Sequence, residues 1–293
     1  CVRMWSRKPV SKTADTGDGR TMVGYGRVIG AVVVLAAGCA TSPERRETQR
    51  SGDTQVTATG FINKTLCGQD GRVLLRYVVY VPFEYTPERT WPMIVFLHGA
   101  GERGNGGLLQ TEVGIGTAIR RDPERFPAIV LMPQCPEGRF WDLIVDEMDE
   151  AVDRTMREYR VDADRVYLTG LSMGGYGAWL WGGSDAARWA ALMPVCGGGS
   201  ELEIQFVSGE PITDAFGDMR GRIERLATLP IWAFHGADDE VVPAQASRRM
   251  VRMVRQAGGD VQYTEYPDVG HNAWDRAYAD PEVIAWLFEQ RRP

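Results

Sequence analysis

The sequence predicts one α/β domain built on a doubly wound, mostly parallel sheet, with an antiparallel hairpin at its N-terminal edge. Three observations carry that expectation. From residue 60 onward, short apolar runs alternate with stretches of helical periodicity, the pattern of βαβ units. Several of those runs are apolar almost without interruption, as strands buried on both faces must be. The same region contains no repeat, no low-complexity break and no charge block to divide it.

Taken in order, residues 61–80 (FINKTLCGQDGRVLLRYVVY) read as the edge hairpin, with Asp70-Gly71 as its turn signal. Strands are expected at 73–82, 92–99, 127–134, 165–172, 189–197, 229–236 and 260–267. Amphipathic helices are expected at 143–159, 174–183, 243–258 and 281–292. The stretch 198–219 is the least patterned, and reads either as an insertion bordering a site or as a surface excursion. The domain is expected to run over 56–293.

The N-terminal part reads as a targeting segment covering residues 1–39. Arg27 precedes the apolar run 28–38 (VIGAVVVLAAG), which is short for a bilayer span but suits a signal-peptide core. Residues 35–40 (LAAGCA) resemble a bacterial lipoprotein processing site, which would leave Cys39 lipidated and the protein attached to a membrane at the periplasmic or cell surface. Ala36 stands where such sites more often carry leucine, so plain secretion stays open. The polar stretch 40–55 reads as a tether. Met22 is an alternative start that would make 1–21 an upstream extension.

Composition removes several classes of function. The 293 residues are 44% hydrophobic and 25% charged with a formal net charge of −6, which argues against a nucleic-acid partner. Lys8, Lys12 and Lys64 are the only lysines, so no residue beyond 64 can serve as a Schiff-base or P-loop lysine. No metal-ligand cluster or dinucleotide fingerprint occurs, and no metal or cofactor is expected. Beyond the leader, Cys67, Cys135 and Cys196 allow at most one bridge, and free, packed cysteines are the expectation.

Ligands of an open parallel sheet meet the carboxyl ends of its strands, so reactive side chains are sought there. Gly170-Leu171-Ser172-Met173-Gly174 is a G-x-S-x-G sequence between a strand and a helical stretch. Glycines two residues either side let strand and helix approach, and the Met173 amide falls at a helix N-terminus that favours negative charge. A serine nucleophile needs a base. Of three histidines, His98 and His235 end strands in His-Gly pairs, where an imidazole braces a turn, while His271 follows the last strand in a glycine-containing loop. His271 is therefore the expected base. Asp238, Asp239 and Glu240 all follow the 229–236 strand, and the residues alone leave open which of them orients the imidazole. The glycine-rich run 98–107 (HGAGERGNGG) could aim a second backbone amide at an oxyanion, an interaction worth about 3–4 kcal/mol to a transition state. It lacks the G-K-[ST] ending of a phosphate cradle.

Together these residues resemble the α/β-hydrolase family, in its chain order of serine, acid and histidine. The segments 97–104 (LHGAGERG), 168–179 (LTGLSMGGYGAW), 194–199 (PVCGGG), 232–243 (WAFHGADDEVVP) and 270–274 (GHNAW) are similar to a secreted branch of carboxylesterases, phospholipase-like and feruloyl-esterase-like enzymes. That branch is related to polyhydroxybutyrate depolymerases and prolyl-oligopeptidase catalytic domains. The resemblance covers the chain from about residue 60 onward. It implies a catalytic set of Ser172, Asp239 and His271, selecting Asp239 through the pattern H-G-x-x-D-x-x-V-P, and an oxyanion hole made by the Ala100 and Met173 amides. Dienelactone hydrolases share the fold but carry a cysteine at the elbow, so Ser172 argues against that reading.

The implied activity is hydrolysis of a carboxylic ester through an acyl-enzyme, on a small-molecule or polysaccharide-linked substrate. Phe140, Trp141, Tyr176 and Trp274 lie near strand ends and could line an acyl or aromatic pocket, and Glu102 and Arg103 could meet a polar leaving group. A prolyl-oligopeptidase-like peptidase and a non-catalytic surface binding protein are the competing readings.

Overall fold

The computed structural model describes residues 57–199 and 218–292. The targeting segment, the tether, Cys39 and most of the stretch 198–219 lie outside them. Eight strands form one sheet among the described residues: β1 (Gly60–Cys67), β2 (Val73–Val81), β3 (Trp91–Leu97), β4 (Ile129–Gln134), β5 (Val161–Leu171), β6 (Ala191–Val195), β7 (Ile231–Gly236) and β8 (Val261–Tyr266). Their spatial order is β1-β2-β4-β3-β5-β6-β7-β8. β1 pairs antiparallel with β2 from Gly60 opposite Val81 to Cys67 opposite Val73, as the hairpin pattern required. The turn closes through the Gly68 amide donating to the Arg72 carbonyl at 2.9 Å, with Gly71 in the left-handed region. β2 is also antiparallel to β4, and every pairing from β4 to β8 is parallel.

The helices among the described residues are α1 (Ile115–Arg121), α2 (Val145–Glu158), α3 (Met173–Ser184), α4 (Met219–Leu226), α5 (Gln245–Gln256), α6 (Trp274–Ala279) and α7 (Pro281–Glu289). They cover both faces, which explains the unbroken apolar strands. Along β3, Met93, Val95 and Leu97 join a core with Met148, Trp179, Trp181 and Met250, under α2, α3 and α5. The intervening Ile94 and Phe96 point the other way, toward Ile119, Tyr278 and Leu287 under α1, α6 and α7.

Two expectations are corrected here. The 174–183 stretch is helical but not amphipathic: every residue of α3 from Met173 to Gly183 is buried, so it is a core helix without a polar face. Cys135 and Cys196 are free and buried, but Cys67 is disulfide-bonded, and neither of those two is its partner. Among the described residues no helix is long and apolar enough to cross a membrane.

Candidate active site

The β5–α3 turn is tightly constrained. Ser172 caps α3 with φ 53° and ψ −119°, a conformation that costs a non-glycine residue about 1–3 kcal/mol. The turn is tight because a Cβ at Gly174 would collide with the Leu97 carbonyl oxygen, and one at Gly170 with the Gly174 carbonyl. The Ser172 amide donates to the Val195 carbonyl at 2.9 Å, and its own carbonyl accepts from the Tyr176 amide at 3.1 Å. Glycine spacing therefore sets the serine at the strand's carboxyl end, half-buried at the base of the loops.

Two loops converge on it. His271, after β8, places Nε2 2.8 Å from Ser172 Oγ. Its Nδ1 lies 2.7 Å from Asp239 Oδ2, on the loop after β7. The loops are tied together by the Asp238 amide donating to the Val269 carbonyl at 2.9 Å, and Gly236 gives them room: a Cβ there would strike the Val269 and Gly270 carbonyls. The three candidate acids are separated by burial, since Asp239 is buried while Asp238 and Glu240 are exposed. Asp239 Oδ1 accepts the amides of Val241 and Val242 at 2.9 and 2.8 Å. Burial works to raise the Asp239 carboxyl, but hydrogen bonds from His235, His271 and the Val242 amide outweigh it and hold the group well below the ordinary carboxylate range.

Residues behind Asp239 were not anticipated as part of the site. His235 is fully buried with Nε2 3.2 Å from Asp239 Oδ2. Cys196, whose φ is 50°, turns its thiol into the same space. The sulfur, the His235 ring and the Asp239 carboxylate lie within 4.8 Å of one another. Burial and the nearby Asp239 charge push the Cys196 thiol up to about 12, so it is a proton donor to the carboxylate rather than a thiolate ligand. His235 belonged to the H-G-x-x-D sequence and Cys196 to PVCGGG. Their signal was present, but nothing in the chain order showed that both would face the acid.

The glycine-rich loop after β3 lies against the elbow: a Cβ at Gly99 would be 3.0 Å from Leu171 Cδ1 and 3.5 Å from Ser172 Cβ. Ala100 begins a short 3₁₀ turn there, and Met173 begins α3 on the other side of the serine. His98 braces this loop. Its Nε2 accepts the Cys135 amide at 2.9 Å, so the proton sits on Nδ1, which donates to the Gly99 carbonyl at 2.6 Å. Burial brings His98 down to about 4, so it is neutral and does not form an ion pair with Glu102, 4.0 Å away. Glu102 is half-buried beside Gly99, and burial raises its carboxyl.

The aromatic residues divide. Phe140, Trp141 and Tyr176 are buried, and Trp141 has no exposed surface to offer a ligand: it packs edge-on against His98 at 4.9 Å. Trp274 is half-buried and meets His271 edge-on at 5.2 Å. It also walls a cleft of about 350 Å³ between α1 and α6, shared with Thr117, Arg121 and Asp275. Arg103 donates to the Ala100 carbonyl at 3.1 Å and so helps shape the loop.

The sheet order, the antiparallel edge pair and the serine on the β5–α3 turn define an α/β-hydrolase. The chain belongs to the dienelactone hydrolase family, whose profile matches residues 120–282. Ser172 therefore does not exclude that family, contrary to the sequence expectation: membership follows from more than 160 residues of scaffold, whereas the nucleophile differs by one atom on the same Cβ. The chain is similar to acyl-protein thioesterase 1 of Gibberella zeae, 22% identical over 231 residues, covering 68% of this chain and 91% of the relative. It is also similar to a bifunctional acetylxylan esterase/xylanase of Neocallimastix patriciarum, 27% identical over 172 residues, covering 57% of this chain and 22% of that enzyme. A thermostable esterase structure superposes with a TM-score of 0.66 at 33% identity, covering 79% of this chain and 63% of the other. A ferulic acid esterase gives 0.60 at 19% identity, over 78% and 97%, and speaks for the fold alone. This chain thus spans less than two thirds of the thermostable esterase and under a quarter of the bifunctional enzyme.

Proposed function

We propose that the protein is a serine esterase that hydrolyses carboxylic esters through an acyl-enzyme on Ser172. The observation that carries the reading is the continuous link from Ser172 Oγ through His271 to Asp239, at 2.8 and 2.7 Å, mounted on a strained elbow. In the proposed reaction His271 Nε2 takes the Ser172 proton as Oγ attacks the ester carbonyl carbon, and Asp239 holds the ring and offsets its developing charge. The carbonyl oxygen, now anionic, is received by the Ala100 and Met173 amides. Collapse of the intermediate expels the alcohol, which takes the proton from His271. Water, deprotonated by His271, then attacks the acyl-enzyme and releases the acid and free Ser172.

The ester-hydrolase class is supported by the family and by relatives named as esterases and a thioesterase. For substrate we propose esters of phenolic or acetyl groups on carbohydrate, in line with the relatives named for acetylxylan and ferulic acid. Trp274, beside His271 on an open cleft, supplies an apolar wall for such a group, and Glu102 a polar contact at the elbow side. Export, with Cys39 as the lipidated attachment point, is proposed from residues 28–40 alone. On that reading Cys39→Ser moves the protein from the membrane to the soluble fraction, and an unchanged distribution contradicts it.

The test is turnover by the full chain of p-nitrophenyl acetate and longer acyl esters, a feruloyl ester, acetylated xylan, an acyl thioester and aminoacyl amides. Ester cleavage that disappears in Ser172→Ala is expected. Amide cleavage outrunning every ester would replace the reading with a peptidase.

A further inference from the structure

The buried His235 is surrounded by hydrogen-bond acceptors on both sides of its ring. Ser247, on α5, donates its hydroxyl proton to the Gly197 carbonyl at 2.8 Å, so at 2.7 Å its oxygen can only accept from His235 Nδ1. On the other side, Nε2 faces the Val242 carbonyl at 2.9 Å and Asp239 Oδ2 at 3.2 Å. A carbonyl oxygen and an ionised carboxylate are both acceptors, so a bare Nε2 would set lone pairs against each other in a site without water exposure. Each ring nitrogen must therefore carry a proton.

The charges around the ring agree. Asp239 and Cys196 face it from the loops after β7 and β6, and the thiol is protonated and neutral. From β8, Glu265 is the register partner of His235, itself held by Arg248 of α5 and by Tyr263. His271 lies beyond Asp239 on the same carboxylate oxygen. Asp239 is thus shared by two imidazoles, one fixed beneath it and one in contact with Ser172.

We propose that His235 is a doubly protonated imidazolium forming a buried ion pair with Asp239, a positioning residue that aims the carboxylate at His271 and cancels part of its charge. The inference rests on the esterase reading only for its kinetic consequence. With Asp239 compensated from behind, its attraction for a proton on His271 is weaker than that of a lone carboxylate. Removing the His235 charge leaves Asp239 to act on His271 alone.

The chain has only three histidines, so its imidazole nitrogens can be separated by NMR of the ¹⁵N-histidine-labelled protein. At neutral pH His235 is expected to show two protonated ring nitrogens, while His98 shows one protonated and one bare. A bare nitrogen on His235 overturns the proposal whether or not any ester is turned over. The second arm is the pH profile of kcat/KM in His235→Gln, which keeps a donor toward Val242 and Asp239 but no charge. Its acid limb is expected to move up by about one pH unit. A limb that stays or moves down, in a variant that remains folded, contradicts the charge assignment. Loss of Ser172-dependent turnover in the wild type would instead strike the esterase reading, with the ion pair still judged by its spectrum.

Discussion

His271 Nε2 and Ser172 Oγ lie 2.8 Å apart although 99 residues separate them in the chain. The contact exists because β5 and β8, three strands apart in a parallel sheet, deliver their following turns to the same edge. Each turn is held by glycine, Gly174 under one and Gly236 under the other, and by amide-to-carbonyl bonds to neighbouring strands. The site is thus a property of the sheet's edge rather than of any one segment.

Gly174 is where that edge is least tolerant. A methyl group there has no space against the Leu97 carbonyl, and backbone cannot move aside as a side chain could. Gly174→Ala is expected to cost more than about 3 kcal/mol or to prevent folding. Gly101→Ala, at a position with nothing within 4 Å of the added atom, is expected to stay within about 1 kcal/mol of wild type, glycine-to-alanine entropy included. Urea unfolding of the two variants makes the comparison.

Asp239→Asn tests the acid. The asparagine amide would present donors to the Val241 and Val242 amides or to His271, all of which donate to the carboxylate. By analogy with serine proteases, kcat is expected to fall by about 10⁴-fold while the fold is kept. The folded carboxyl is held far below its ordinary value, so its stabilising contribution is present above the unfolded-state value and lost only as pH falls into strongly acidic solution. Acid unfolding midpoints of variant and wild type should therefore converge at the lowest pH.

Much of this was legible in the sequence because the signals were periodic or punctuated. Seven strands were expected from short runs between helical stretches, several of them almost continuously apolar, and the elbow from glycines flanking Ser172 between a strand and a helix. What was not legible was short or lateral. α1 and α6 are seven and six residues long, too brief for a helical period to register, and α4 carries Gly221 in its first turn. Trp141 sat in a position consistent with a pocket wall, and only packing against His98 and α3 reveals it as support for the loop. The pairing of Cys196 and His235 with Asp239 depends on two adjacent strand ends, those of β6 and β7, which no linear pattern encodes.

His98 gives a pH dependence of stability with a definite sign. Its folded value of about 4 lies below the ordinary histidine value, so between these limits the unfolded chain binds the extra proton and stability rises with pH. Above about pH 6.5 neither state is protonated there and the term vanishes. The loss on acidification through this window is about 3 kcal/mol. His98→Asn, which can keep one donor and one acceptor, is expected to flatten the slope in thermal or urea melts between pH 4 and neutrality, even where it lowers stability overall.

The central claim is that Ser172 is the atom that opens the ester. Wild type and Ser172→Ala should be compared with p-nitrophenyl acetate, with the acyl-enzyme trapped at low pH and weighed by intact-protein mass spectrometry. The account predicts an acetyl adduct on Ser172 in the wild type, no adduct in the variant, and a fall in kcat of at least about 10⁴-fold. Turnover that survives in the variant, or an adduct on another residue, would contradict it.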